Sequence, residues 1–186
     1  QVAIKDATFF LPQSHLQLKH ISANLYLGAA KTDKVADFAI GQLQHLAPAP
    51  FFEALSFAGS IKKKSVDEKP VVYSLNATGG APGSRYLKFS GKHTFDSGNC
   101  MLKVEIAPLS FSPDSLQPAA LSPVLAPLED VSGLVSASAQ IQWCKQGISG
   151  GRGVVDLQNI SFTHEAAKVN GLNATLNLSN LLPLSS

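Results

Sequence analysis

Five histidines (His15, His20, His45, His93, His164) and two cysteines (Cys100, Cys144) offer the widest chemistry in this chain. Metal coordination would need them grouped, as His at i and i+4 on a helix, as close pairs on a strand, or as Cys-x-x-Cys. None of these groupings occurs, so the histidines read as solvated or edge side chains. Cys100 and Cys144 could be bridged only in an oxidising compartment with Cα atoms within about 7 Å, and the sequence fixes neither condition. The segment Gly147 to Gly153 (GISGGRG) looks like a phosphate loop but lacks the terminal Lys-Ser/Thr and runs into a strand instead of a helix. It is expected to be a hairpin turn, and no serine occupies the strand-to-helix elbow of a hydrolase nucleophile. The acids Asp67, Glu68, Asp96, Asp114, Glu129 and Asp130 fall at expected turns and supply no facing carboxylate pair for glycoside chemistry. Asn76, Asn159 and Asn173 each begin an Asn-x-Ser/Thr triplet, which arises by chance in so Asn- and Ser-rich a chain. Lys62, Lys63 and Lys64 suit either anionic headgroups or a solvated hairpin tip. These residues give no catalytic constellation and call for no cofactor or metal.

The elements around them are strands. From Gly133 to Trp143 the residues Val135, Ala137, Ala139, Ile141 and Trp143 alternate with Ser136, Ser138, Gln140 and Gln142, the period of two of a strand with one apolar and one polar face. The pattern returns in Leu172, Ala174, Leu176 and Leu178. Earlier strands are expected at Val2 to Leu11, Leu16 to Leu27, Val35 to His45, Leu55 to Ile61, Val71 to Thr78, Tyr86 to His93 and Cys100 to Phe111. The apolar parity switches at Lys5-Asp6 and again at Lys19-His20, which predicts bulges. Turns are expected at Pro12-Gln13-Ser14, Gly79 to Ser84, Thr94 to Asn99 and the charged Ser65 to Pro70. Only Ser112 to Asp130 has helical character, with Ser122-Pro123 as a start; Pro118 and Pro127 limit a helix near 114–129 to one or two turns. About ten strands in hairpin order make an all-β antiparallel meander, extending ~48 Å at ~4.8 Å per strand. The bulges suggest that it curls into an open, taco-like groove.

Composition narrows the class further. Of 186 residues, 45% are hydrophobic and only 15% charged, where about 25% charged is usual in a soluble domain. No run approaches the roughly 20 apolar residues of a membrane-spanning helix. A net charge of +2 with no basic patch interleaved with aromatics excludes nucleic acid as a partner. The length implies one unit over residues 1–186. Strand-like sequence at both ends suggests a piece of a longer chain, with any anchor outside it.

The sequence also carries a family likeness. The order Phe111-Ser112-Pro113, Leu116-Gln117-Pro118, Leu121-Ser122-Pro123, Val131-Ser132-Gly133, a strand ending in Trp143, a Gly-rich turn, then Val169-Asn170-Gly171-Leu172 and Leu181-Leu182-Pro183-Leu184 resembles the YdbH-like branch of the AsmA-like envelope proteins. Part of that group carries the older label of dicarboxylate transport domain. The likeness covers residues 100–186; residues 1–99 share only the repeating polar and apolar strands. The resemblance implies a bridge-like protein of the Gram-negative periplasm, with an apolar β-groove conducting phospholipid between inner and outer membranes. It further implies an inner-membrane anchor and a small outer-membrane lipoprotein partner that extends the sheet by β-augmentation.

Physics accords with such a role. Carrying a lipid of about 30 chain methylenes through water costs on the order of 24 kcal/mol at ~0.8 kcal/mol per methylene. A dry, uncharged lining lowers that cost with no catalytic residue. Val135, Ala137, Ile141, Trp143, Leu157, Phe162, Leu172, Leu176 and Leu178 are the expected groove residues. Ordinary core packing beneath a second layer is the competing role for each, and Trp143 could either gate a ligand or anchor its strand. The alternative function is a structural or adhesive β-module of an envelope or surface protein, a sandwich or solenoid that carries nothing; no fixed repeat supports the solenoid.

Overall fold

The computed structural model describes residues 1–26, 33–64, 71–145 and 147–179. Ten strands follow one another: β1 (Val2–Leu11), β2 (Leu16–Leu25), β3 (Lys34–His45), β4 (Leu55–Lys63) and β5 (Val72–Gly80). Then come β6 (Leu87–Thr94), β7 (Asn99–Phe111), β8 (Glu129–Cys144), β9 (Gly147–His164) and β10 (Ala167–Leu178). They form one ten-stranded antiparallel sheet in the order of the chain, β1 to β10, so every strand pairs with its sequence neighbours. The predicted all-β meander is the fold.

Alternation of apolar and polar residues sets which side chains share a face, because successive residues of a strand point to opposite faces and directly paired residues to the same one. The phase switches at Lys5-Asp6 and Lys19-His20 are bulges: Asp6 (φ 52°) and His20 (φ 53°) both take the left-handed conformation, and β1 shifts register against β2 between Ile4 and Phe9. The two meet through His20 Nδ1 and Asp6 Oδ1 at 2.7 Å. Without these bulges the residues after them would turn their apolar side chains onto the polar face.

The sheet is open and uncurled, which corrects the expected taco-like groove. Closing a sheet requires tilted strands and a staggered register. Here paired residues run straight across from β1 to β10, and the bulges bend strands locally without bringing the two edges together.

Two further expectations are corrected. Gly147 to Gly153 is not a turn but the start of β9, with Gly150, Gly151, Arg152 and Gly153 paired to Gln142, Ile141, Gln140 and Ala139. Glycine weakens a strand but does not prevent pairing, and the long neighbour β8 supplies the template. Gly79 and Gly80 likewise belong to β5, so the turn expected at Gly79 to Ser84 begins only at Ala81, where Ser84 N donates to Ala81 O (2.8 Å). The segment near 114–129 is helical only over two short 3-10 turns, Pro118–Ala120 and Pro123–Leu125, the one or two turns that its prolines allow. Cys100 and Cys144 are both free. Cys100 pairs with Trp143, so Cys144, one residue on, points to the other face. Leu27, Ser65 to Pro70 and Leu181 to Leu184 lie outside the described residues.

The linker between β7 and β8 reaches back along the edge formed by the strand ends. Glu53 N donates to Leu121 O (2.9 Å) and Ser122 Oγ to Phe51 O (2.5 Å), joining this strap to the β3–β4 connection. Gln117 fastens its root: its Nε2 donates to Ser112 O (2.6 Å) and Val131 O (2.9 Å), and its Oε1 accepts from Val131 N (3.0 Å). Leu87, Phe111, Pro118, Val131 and Ile160 are buried at this end of the sheet.

Candidate functional site

Side-chain rows follow directly from the register. One row crosses all ten strands as Ile4, Ala23, Phe38, Gly59, Ala77, Phe89, Val104, Ala139, Gly153 and Leu178. The next crosses them as Ala7, Ile21, Ile40, Phe57, Gly79, Leu87, Ile106, Ala137, Val155 and Leu176. Neither row contains a polar side chain. At ~4.8 Å between strands each is a continuous apolar line of about 43 Å.

The opposite face is polar. Its central row is Asp37, Ser60, Asn76, Ser90, Lys103, Gln140 and Arg152, and Lys103 Nζ pairs with Glu105 Oε1 at 2.6 Å. At its β3 end Asp37 accepts from Tyr26 (2.9 Å) and pairs with Lys34 (2.6 Å). The Lys34 contact, joined by the Tyr26 hydroxyl, holds the Asp37 carboxyl below its ordinary range, and the Asp37 bond pushes the Tyr26 hydroxyl up.

Away from the strap end, where Leu87, Phe111 and Ile160 of this face are buried, no second layer of strands or helices covers the apolar face among the described residues. Among the described residues no large side chain is completely buried, and Val2, Ile4, Leu176 and Leu178 on the edge strands remain 43–48% exposed. A soluble protein seldom leaves so extended an apolar surface open unless something binds there.

Glycine and aromatic residues make the floor of the face level. A Cβ on Gly79 would lie 2.2 Å from Phe57 Cδ1, and one on Gly59 would lie 2.8 Å from Phe38 Cζ. The two rings therefore lie flat over backbone, the arrangement by which aromatics compensate for strand glycines. Phe57 also meets Phe89 edge to face at 5.4 Å. A side chain at Gly79 would lift the ring into the path along the row.

All nine expected groove residues share this face. Val135, Ala137, Ile141 and Trp143 lie at alternate positions of β8; Leu157 pairs with Val135, and Leu176 and Leu178 extend the two long rows. The left-handed Asn159 and Gly171 restore the phase so that Leu172 and Phe162 join them. Sequence reading missed the other half of the face, including Phe38, Phe57, Ala77 and Phe89 in β3 to β6. Their parity was legible, but only the register shows that they continue the same rows. Among the described residues no group of three His, Cys, Asp or Glu side chains could hold a metal, and no helix is long and apolar enough to cross a membrane.

An open, single-layer meander with two unbroken apolar rows on one face and a polar opposite face defines a class of protein that presents an apolar surface along its length. The particular family follows from sequence: the chain belongs to the YdbH-like family, whose model, described as intermembrane phospholipid transport protein YdbH, matches residues 7–186. The match takes in the N-terminal strands as well as residues 100–186. Comparison with curated proteins and with solved structures gave no match.

Proposed function

We propose that this chain is a single segment of a non-enzymatic phospholipid path in the periplasm of a Gram-negative bacterium, carrying acyl chains on the apolar face between inner and outer membranes. One observation carries the reading: two ten-residue rows without a polar atom in any side chain run from edge strand to edge strand. Membership of a family described by intermembrane phospholipid transport supports the choice of ligand. Movement along the rows is passive, because successive apolar side chains offer an acyl chain nearly equal environments and no charge interrupts them. Val135, Ala137, Ile141, Trp143, Leu157, Phe162, Leu172, Leu176 and Leu178 contact the chains in β8 to β10. The inner-membrane anchor and the outer-membrane lipoprotein of the resemblance remain part of this proposal, resting on the family. A sandwich or solenoid module would cover this face, and an open sheet does not favour that alternative.

Lipid extraction followed by mass spectrometry of the purified protein tests the reading. Stoichiometric phospholipid, exchangeable with added labelled phospholipid, is expected. Protein that is folded, free of lipid and unable to take up a fluorescent phospholipid would overturn it.

A further inference from the structure

The charges of the sheet are sorted with one exception. Among register-paired residues every Asp, Glu, Arg and Lys lies on the polar face, save Lys63. Lys63 pairs with Tyr73, which continues through His93, Cys100 and Trp143. This is the outermost row of the apolar face, at the end of the sheet away from the strap. Its neighbours Lys62 and Lys64 are exposed, whereas Lys63 is half-buried. Lys34 and Lys103 have carboxylate partners; the Lys63 ammonium has none among the described residues.

The rest of the row is amphipathic. Tyr73 and His93 stack at 6.5 Å, and His93 Nδ1 lies 2.7 Å from Cys100 Sγ. Burial pushes the Cys100 thiol up, so it keeps its proton and can donate to Nδ1. That tautomer carries its N–H on Nε2, a donor for an anionic oxygen. A cavity of about 280 Å³ joins Tyr73, His93, Cys100 and Trp143 to Ile61, Leu75 and Leu102 of the adjoining apolar row. Aromatic and basic side chains bordering an apolar surface match the boundary between acyl chain and headgroup. Two residues of strand separate the rows, ~6.7 Å.

We propose that the Lys63–Tyr73–His93–Cys100–Trp143 row is the headgroup side of the path, where Lys63 takes the phosphate of a glycerophospholipid whose acyl chains lie on the Ile61, Leu75, Leu102 and Ile141 row. The assignment rests on the transport reading above and adds where along the strands the lipid stands. It orients the lipid, with chains directed toward the strap end and phosphate toward the β4–β5 end.

Trp143, the only tryptophan, sits in the row and reports on it. Its emission is titrated in the full chain with dioctanoyl phosphatidylglycerol and with dioctanoylglycerol, which has the same chains and no phosphate. Wild type is expected to bind the phospholipid about 5-fold more tightly, as one partly exposed ammonium–phosphate pair allows. Lys63→Gln should bring the ratio near one, Lys63→Arg should keep it, and Lys62→Gln, on the polar face, should leave it unchanged. Equal binding of both lipids by wild type, or equal effects of Lys62→Gln and Lys63→Gln, overturns the headgroup assignment while leaving an apolar path intact. Binding of neither lipid overturns the transport reading itself.

Discussion

A carboxylate placed in the middle of the apolar face separates a lipid path from a hydrophobic core. Val104 sits half-buried on β7 in the long row, between Phe89 and Ala139 on the flanking strands. In a laminated protein Val104→Asp would bury an unpaired charge and unfold the domain, a cost well above 4 kcal/mol. On an open face the carboxylate keeps its water, and the loss reduces to strand preference and side-chain contact, about 1–2 kcal/mol. The lipid pays more. A hydrated carboxylate lifts an acyl chain over about one strand spacing, on the order of four methylenes at ~0.8 kcal/mol each, roughly 3 kcal/mol. That corresponds to about 100-fold weaker binding. Urea unfolding followed by circular dichroism reads the first quantity, and fluorescent-phospholipid titration the second. Loss of fold with Val104→Asp would show a covered core, and a folded variant that binds lipid as wild type does would show that the row is not the path.

Other substitutions test the supporting structure. Gln117→Ala removes three hydrogen bonds that tie the strap to Ser112 and Val131 and should cost about 1–3 kcal/mol, read as a lower urea midpoint with lipid binding retained. Gly79→Val sets a side chain where Phe57 lies 2.2 Å from the Cβ position; it should destabilise by about 1–3 kcal/mol and slow phospholipid exchange by lifting the ring. Asp37 has its folded pKa held below the ordinary 3.8 by Lys34 and Tyr26. Its contribution is therefore complete above about pH 4 and lost as pH falls through the lowered folded value; in Asp37→Asn that part of the acid dependence of stability should disappear, as thermal melts from pH 5 to pH 2 would show.

Local patterning determined much of this protein before any strand was paired. Alternation in residues 133–143 and 172–178 prescribes one apolar and one polar face, and parity switches beside Asp6 and His20 mark where a bulge must restore it, because side chains repeat every two residues. Hairpin-length connections likewise dictate a meander, and prolines at 118 and 127 limit any helix between β7 and β8 to one or two turns. Glycines misled the reading: GISGGRG has the composition of a turn, yet pairing with β8 draws it into a strand, since a neighbouring edge can overrule local preference. Only the tertiary structure decided that the sheet stays open, that Phe38, Phe57 and Phe89 stand in line with Leu176 and Leu178 far along the chain, and that Lys63 shares a row with Trp143. Those are matters of register between strands, and the hydrogen bonds that set register join residues whose sequence spacing carries no mark of it.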